Sequence, residues 1–230
     1  MGTDLFSLFN DPAYWESLSK ILPQSVNETI YMVIVSTFLA YVLGVPMGVF
    51  LVITSADHIL PNPWVERTLG TVINIFRSIP FIILLVALIP FTKELVGTSI
   101  GTTAAIVPLV VSAAPFVARL VESSLKEVSH GVIEAALSMG ASPWQIISKV
   151  LLPEAKSPLI LGMAITTINI IAYTAMAGAV GGGGLGDLAI QYGYNRFRTD
   201  IMIITVFILV IFVQGIQWVG TTLARKLSHR

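Results

Sequence analysis

Long stretches without charge dominate the hydrophobic and polar pattern of this chain. A helix needs about 20 mainly apolar residues to cross a bilayer, and five stretches are long enough: residues 29–56, 68–92, 95–118, 157–186 and 201–224. Only the second of them contains a charged side chain, Arg77. The pattern therefore predicts an all-α integral membrane protein with five transmembrane helices.

The composition agrees with this prediction. The chain has 230 residues, of which 55% are hydrophobic and only 11% are charged, whereas soluble domains carry about 25% charged residues. The formal net charge is zero, so no basic excess indicates nucleic acid as a partner. The chain has no cysteine, which excludes thiol catalysis, disulfide bonds and Cys-based metal sites.

The distribution of lysine and arginine predicts the orientation. These residues favour the cytoplasmic side, and nine lie inside against four outside if residues 119–156 are cytoplasmic. We therefore expect an extracytoplasmic N-terminal segment (1–25) and a cytoplasmic tail (226–230). The N-terminal segment lacks the basic start of a signal peptide, so we expect no processing. It is either a helix in the membrane interface or a poorly ordered tail.

The connection between the third and fourth spans has the pattern of a helix–turn–helix. Ser129 can cap the first helix, and Gly140 can end it in a left-handed turn. Ser142 and Gln145 stand at capping-box spacing before the second helix, and Pro153 is expected to end that helix. The apolar face of these helices must pack either on the membrane bundle or on a soluble partner, and the pattern alone favours neither.

Spacing within this connection resembles a known signature. ABC importer permeases carry Glu-Ala-Ala, three residues, Gly, nine residues, and then an aliphatic residue, any residue and Leu-Pro. The matching positions here are Glu134, Ala135, Ala136, Gly140, Val150, Leu152 and Pro153. Seven matches at fixed spacing, in a segment that the charge distribution places inside, make a specific resemblance.

The resemblance to methionine-importer permeases covers roughly residues 25–225. The stretches that carry it are residues 74–85, 89–92, 96–101, 105–109, 113–116, 177–181, 183–186 and 191–194. The first 25 residues are longer and more acidic than is usual in this group, so nothing is carried over to them.

What the resemblance implies is a type I importer fold in a bacterial inner membrane. Residues 26–225 would form the transmembrane domain and residues 127–153 its coupling loop. The partners would be a second copy of the chain, a dimer of ATPase subunits and an extracytoplasmic substrate-binding protein or lipoprotein. The substrate would be L- or D-methionine or a related small amino acid, with another small amino acid or an organic anion as alternatives.

The same resemblance gives roles to residues of the coupling loop, which would lie in a groove of the ATPase. Ala135 and Ala136 would keep one helix face thin enough for close approach. Glu134 would offer a carboxylate to a donor or a helix end of the partner. Gly140 would set the angle between the two helices.

No cofactor or metal site is expected in this chain. It lacks a Gly-rich loop ending in Gly-Lys-Ser/Thr, which binds phosphates in ATPases, so ATP and Mg²⁺ are expected on the partner ATPase. The histidines His58, His130 and His229 are far apart in sequence and suggest no metal site.

Five residues are candidates for the transport pathway or its gate. Arg77 would orient a substrate carboxylate, pair with a carbonyl freed by Pro80, or extend to the cytoplasmic surface. Met163 and Met176 would either meet a thioether substrate or fill gaps in packing. Gly181 begins a glycine run that is a hinge, a docking site for the binding protein, or a plain loop.

Two further hypotheses stay open. A stand-alone secondary transporter should carry intramembrane carboxylates or inverted repeats, and neither is evident here. A membrane enzyme should place paired carboxylates or a Ser/His arrangement within the spans, and none is evident. Within the spans, Gly44 and Gly48 predict a close helix approach. Asn74 and Asn169 are expected to hydrogen-bond across helices.

Overall fold

The computed structural model of the protein describes residues 12–228. Within this range all regular secondary structure is helical, which confirms the predicted all-α fold. The helices are α1 (Pro12–Ile53), α2 (Pro63–Ser78), α3 (Phe81–Ala87), α4 (Ile89–Val96), α5 (Thr102–Lys126), α6 (His130–Ser138), α7 (Pro143–Ile146), α8 (Leu152–Glu154), α9 (Lys156–Gly178), α10 (Gly184–Leu188) and α11 (Thr199–Ser228). Two π-helical turns, Ile147–Leu151 and Ala189–Tyr194, follow α7 and α10.

Four of the described helices, α1, α5, α9 and α11, are long and apolar enough to cross a membrane. The predicted second span is broken: α2 and α3 meet at an angle of 99°, and they make a fifth span if the bent pair counts as one. The break lies at Ile79, whose backbone is extended, directly before Pro80. Proline has no N–H to donate and disfavours a helical conformation of the preceding residue, so the helix ends there.

Two other spans have different bounds from those predicted, and glycines account for both differences. The third was expected from residue 95 but begins at Thr102, because Gly97 and Gly101 take positive φ angles of 84° and 98°. The fourth was expected to reach residue 186 but ends at Gly178, three residues before a loop with several positive φ angles. A left-handed residue ends an α-helix, and glycine adopts that conformation without strain.

The N-terminal part of the described chain is one continuous helix. Helix α1 passes through the expected boundary at residue 25 without interruption and contains both Pro23 and Pro46. Residues 1–11 and 229–230 lie outside the described residues, and with them most of the N-terminal segment's acidic side chains and His229.

Helices α1 and α5 pack closely against each other through two glycines of α1. A Cβ atom added to Gly44 would lie 2.6 Å from Val117 Cβ, and one added to Gly48 would lie 2.6 Å from the Ala118 carbonyl oxygen. Both distances are far below normal contact, so only glycine permits this separation of the helices. The close approach predicted from these two glycines is confirmed.

Candidate functional site

The first helix of the coupling loop is α6, which ends in a Schellman motif. The Ala141 N–H donates to the Ala136 carbonyl at 3.1 Å, and the Gly140 N–H donates to the Leu137 carbonyl at 2.9 Å. Gly140 has a φ of 78°, the left-handed conformation that this motif requires and that glycine favours. Ser129 occupies the N-cap position, but its side chain makes no capping hydrogen bond.

The second helix begins as predicted and ends later than predicted. Ser142 Oγ accepts from the Gln145 N–H at 3.4 Å, and Gln145 Oε1 accepts from the Ser142 N–H at 2.8 Å, which completes the capping box. Pro153 does not end the helical path, which continues to Glu154. The intervening π-helical turn leaves Pro153 in the first turn of a new α-helical segment, where its missing N–H is not needed.

The two faces of the coupling loop have different environments. Ile133, Ile146 and Leu151 are at most 5% exposed and belong to the main hydrophobic core. On the other face, Met139 is 81% and Trp144 is 73% exposed. One face therefore packs on the membrane bundle, as the first alternative requires, and the opposite face stays open to a partner, as the second requires.

The residues of the signature lie on both faces. Glu134 and Ala135 are exposed, whereas Ala136 is buried. Within residues 12–228 the Glu134 carboxylate makes no hydrogen bond and no ion pair. The remaining members are Gly140 in the exposed turn and the half-buried Val150, Leu152 and Pro153. Glu134 and Ala135 are thus available to another molecule, while Ala136 is packed into the hydrophobic core.

Two histidines meet beside the start of α6, which the sequence did not predict. The rings of His58 and His130 are 6.5 Å apart between centroids, and both line a cavity of about 430 Å³ with Lys126 and Glu66. Burial lowers the pKa of His58, and repulsion from His130 and Lys126 lowers it further. His58 is therefore mostly neutral at pH 7. The described residues contain no group of three His, Cys, Asp or Glu side chains placed to hold a metal ion.

The break in the second span places two pathway candidates at the surface of the chain. Arg77 lies in the last turn of α2, and both Arg77 and Pro80 are exposed. Arg77 makes no hydrogen bond or salt bridge within the described part of the chain, so it does not pair there with a carbonyl freed by Pro80. A cation at a helix C-terminus is favoured by the helix dipole.

The arginine that joins helices here is Arg119 of α5. Its Nη2 donates to Asn74 Oδ1 at 2.9 Å and to the Gly70 carbonyl at 3.1 Å, and its Nη1 donates to Glu122 Oε2. Glu122 also accepts from Lys126 Nζ at 2.8 Å. The cross-helix hydrogen bond predicted for Asn74 is confirmed, whereas the Asn169 side chain makes none with the described residues. Arg119 was missed because it lies just past the predicted third span, where it counted only as a cytoplasmic charge.

Two other pathway candidates lie on the outside of α9. Met163 and Met176 are each 45% exposed, so neither side chain fills a gap inside this chain. On the buried side of the same helix, Tyr173 stacks on Phe81 of α3 with ring centroids 4.6 Å apart. This stack fixes the second half of the broken span against α9.

Three hydrogen bonds tie the glycine run after α9 and the adjoining Leu185 to two other parts of the chain. The Gly101 N–H donates to the Gly181 carbonyl at 2.9 Å. The Gly184 N–H donates to Glu28 Oε2, and the Leu185 N–H donates to Thr29 Oγ1, both at 2.8 Å. A loop held by these bonds is an ordered structure. Glu28 and Thr29 were missed because they stand at the edge of the first span, where nothing in the sequence indicates a partner 156 residues away.

A second carboxylate lies beside these bonds. Asp187 and Glu28 line one cavity of about 420 Å³ with Gln24 and Tyr192. Burial raises the pKa of the Asp187 carboxyl above its usual value, and repulsion from Glu28 acts in the same direction against an opposing hydrogen bond from Gln191.

Comparisons with known proteins agree with the geometry. Residues 40–229 match the family described as "Binding-protein-dependent transport system inner membrane component". The "Probable D-methionine transport system permease protein MetI" of Vibrio cholerae serotype O1 is 52% identical over 96% of this chain and 99% of its own length. The "D-methionine transport system permease protein MetI" of Escherichia coli (strain K12) is 51% identical over 74% of this chain and 76% of its own length.

A solved structure extends the similarity to the fold. A chain of the structure described as "Inward facing conformations of the MetNI methionine ABC transporter: CY5 native crystal form" superposes with a TM-score of 0.91 at 50% identity. The match covers 92% of this chain and 98% of that chain. The chain therefore belongs to the family of binding-protein-dependent transport system inner membrane components, and it is a transport permease.

Proposed function

We propose that this chain is the permease subunit of an ATP-binding cassette importer for methionine, and that its coupling loop docks on a separate ATPase. The observation that carries the proposal is the open outer face of the loop, where Glu134 and Ala135 are exposed beside Met139 and Trp144. Large exposed apolar side chains rimmed by polar residues are typical of protein interfaces. The relatives named for D-methionine transport support the choice of substrate.

The proposed assembly contains two copies of this chain, two ATPase subunits and an extracytoplasmic substrate-binding protein. ATP and Mg²⁺ would be bound by the ATPase, whose closure would pull the two coupling loops together. The buried face of each loop, anchored by Ile146 and Leu151, would transmit this movement to the spans. The N-terminus would lie outside and the C-terminus in the cytoplasm, as the distribution of lysine and arginine predicts.

The proposed pathway runs between the two copies. Met163 and Met176 lie on the outer surface of α9, where an apolar thioether could pass. Arg77 and Pro80 lie at the bend of the second span, and Gly181 lies in the glycine run after α9, at the opposite end of the bundle. Because a carrier must release its substrate, we expect each of these contacts to be weak.

The test is a charge reversal on the open face. Glu134→Arg should reduce ATP-dependent methionine uptake by proteoliposomes at least tenfold and reduce co-purification of the ATPase, because a docking carboxylate is replaced by a cation. The matched control is Glu127→Arg, which reverses an exposed carboxylate of the same loop outside the signature. Equal retention of the ATPase by both variants would contradict the docking role, and uptake by the permease without an ATPase would favour a secondary transporter.

A further inference from the structure

Two hydrogen bonds between residues 156 positions apart join the first span to the glycine loop, defined here as residues 181–185. Glu28 Oε2 accepts from the Gly184 N–H and Thr29 Oγ1 accepts from the Leu185 N–H, each at 2.8 Å. These acceptors are adjacent on α1, and the donors are adjacent at the start of α10. Two consecutive side chains thus satisfy two consecutive N–H groups that α10 itself leaves without helical partners.

The acceptors are held in place by their own helix. Gln24 Nε2 donates to the other Glu28 oxygen at 2.9 Å, and the Thr29 hydroxyl donates to the Ser25 carbonyl at 3.0 Å. Thr29 is only 1% exposed. Both side chains therefore present their oxygens in one orientation and need no rearrangement to form the contact.

The glycines of the loop are required by this contact. A Cβ on Gly183 would lie 2.9 Å from Glu28 Oε2, and a Cβ on Gly184 would lie 2.7 Å from Thr29 Oγ1. Both residues also have positive φ angles, of 77° and 80°. Glycine therefore stands at the two loop positions where a side chain would collide with α1.

The contact lies at the end of the bundle opposite the coupling loop. The same glycine loop also accepts a hydrogen bond from Gly101, which precedes α5. It therefore connects the extracytoplasmic ends of three spans: α1, α5 and α9. Leu185, whose N–H takes part in the contact, is fully buried in a hydrophobic cluster with Leu188. Breaking the contact therefore also displaces this apolar cluster, so release of the loop would involve α10 as a whole.

We propose that Glu28, assisted by Thr29, is a positioning residue that latches the glycine loop and keeps the extracytoplasmic end of the permease closed. This inference rests on the proposed function. The structure resembles a chain from a transporter solved in inward-facing conformations, and a carrier open to the inside is closed to the outside. Opening to the outside would then require the Glu28–Gly184 and Thr29–Leu185 bonds to break.

The experiment compares variants of the assembled transporter in two ways. Hydrogen exchange at residues 182–188 reports on the bonds themselves, and ATP hydrolysis without the binding protein reports on how readily the outer end opens. In Glu28→Ala the exchange of the Gly184 amide should rise about tenfold or more, because hydrogen bonds to charged groups are among the stronger ones. Hydrolysis without binding protein should rise severalfold.

Three further variants keep the test independent of a folding failure. Glu28→Gln retains an amide oxygen as acceptor and should restore most of the wild-type behaviour. Thr29→Val keeps the shape of the side chain but removes the acceptor, so it should act in the same direction as Glu28→Ala. Asn27→Ala changes the exposed neighbour on α1 and should match the wild type in both measurements.

Unchanged exchange in both Glu28→Ala and Thr29→Val would overturn the proposed latch. Faster exchange with unchanged hydrolysis would also overturn it, since Glu28 would then be a structural cap only. Failure of the wild-type transporter to take up methionine would instead refute the proposed substrate, and the exchange and hydrolysis measurements would still decide the role of Glu28.

Discussion

The packing of α1 on α5 gives the sharpest test of the fold. In Gly44→Ala the new Cβ would lie 2.6 Å from Val117 Cβ and 2.7 Å from the Ala114 carbonyl oxygen. Neither neighbour is the flexible end of a side chain, so the helices must separate, by about 1 Å for normal contact. Overpacking of this kind costs about 1–3 kcal/mol, and the better helix propensity of alanine returns up to about 1 kcal/mol.

We therefore expect Gly44→Ala to lower the free energy of unfolding by up to about 2 kcal/mol, which is the overpacking cost less the gain of about 1 kcal/mol in helix propensity. The matched control is Gly215→Ala in α11, where an added Cβ meets nothing within 4 Å. That variant should be neutral or more stable by up to about 1 kcal/mol. The measurement is equilibrium unfolding in detergent micelles, followed by tryptophan fluorescence. If both variants change stability by the same amount and sign, the close approach of α1 and α5 is wrong.

Three other perturbations follow from the described contacts. Arg119→Met should destabilise the permease by about 1–3 kcal/mol in the same unfolding assay, because Asn74 and the largely buried Glu122 lose a charged donor. Arg119→Lys should restore only part of this stability. An Arg119→Met variant as stable as the wild type would contradict the role of Arg119 in joining α2 to α5. The lowered pKa of His58 means that the unfolded chain binds the proton more readily. Stability should therefore fall as the pH drops below about 6.5, and a His58→Gln variant with the same fall would refute this cause. Gly140→Ala should cost about 1–2 kcal/mol through the positive φ of 78°, measured against the neutral control Gly215→Ala.

The coupling loop illustrates how far local sequence signals reach. The capping box at Ser142 and the helix end at Gly140 were predicted correctly because both depend on residues within a few positions of each other. The end of the second helix was predicted wrongly, because a proline stops a helix only if the preceding turn cannot widen. Here the π-helical turn Ile147–Leu151 supplies that widening.

Arginines show the limit of reasoning from hydropathy. Arg77 attracted attention because it interrupts an apolar stretch, yet it lies exposed at the bend of the second span. Arg119 lies outside every predicted span, yet it is the side chain that holds α2 against α5. Hydropathy measures which residue types are adjacent in sequence, whereas the role of a charge depends on which groups the fold brings to it.

The sequence by itself determined the class of the protein, the approximate spans, the helix–turn–helix between the third and fourth spans and the family resemblance. A bilayer selects on local composition, and a signature is a matter of spacing. Only the tertiary structure decided that the second span bends at Pro80, that the coupling loop divides into a buried and an open face, and that Glu28 meets Gly184. These features depend on groups far apart in the chain. Their pairing follows from the relative placement of whole helices, which no local pattern contains.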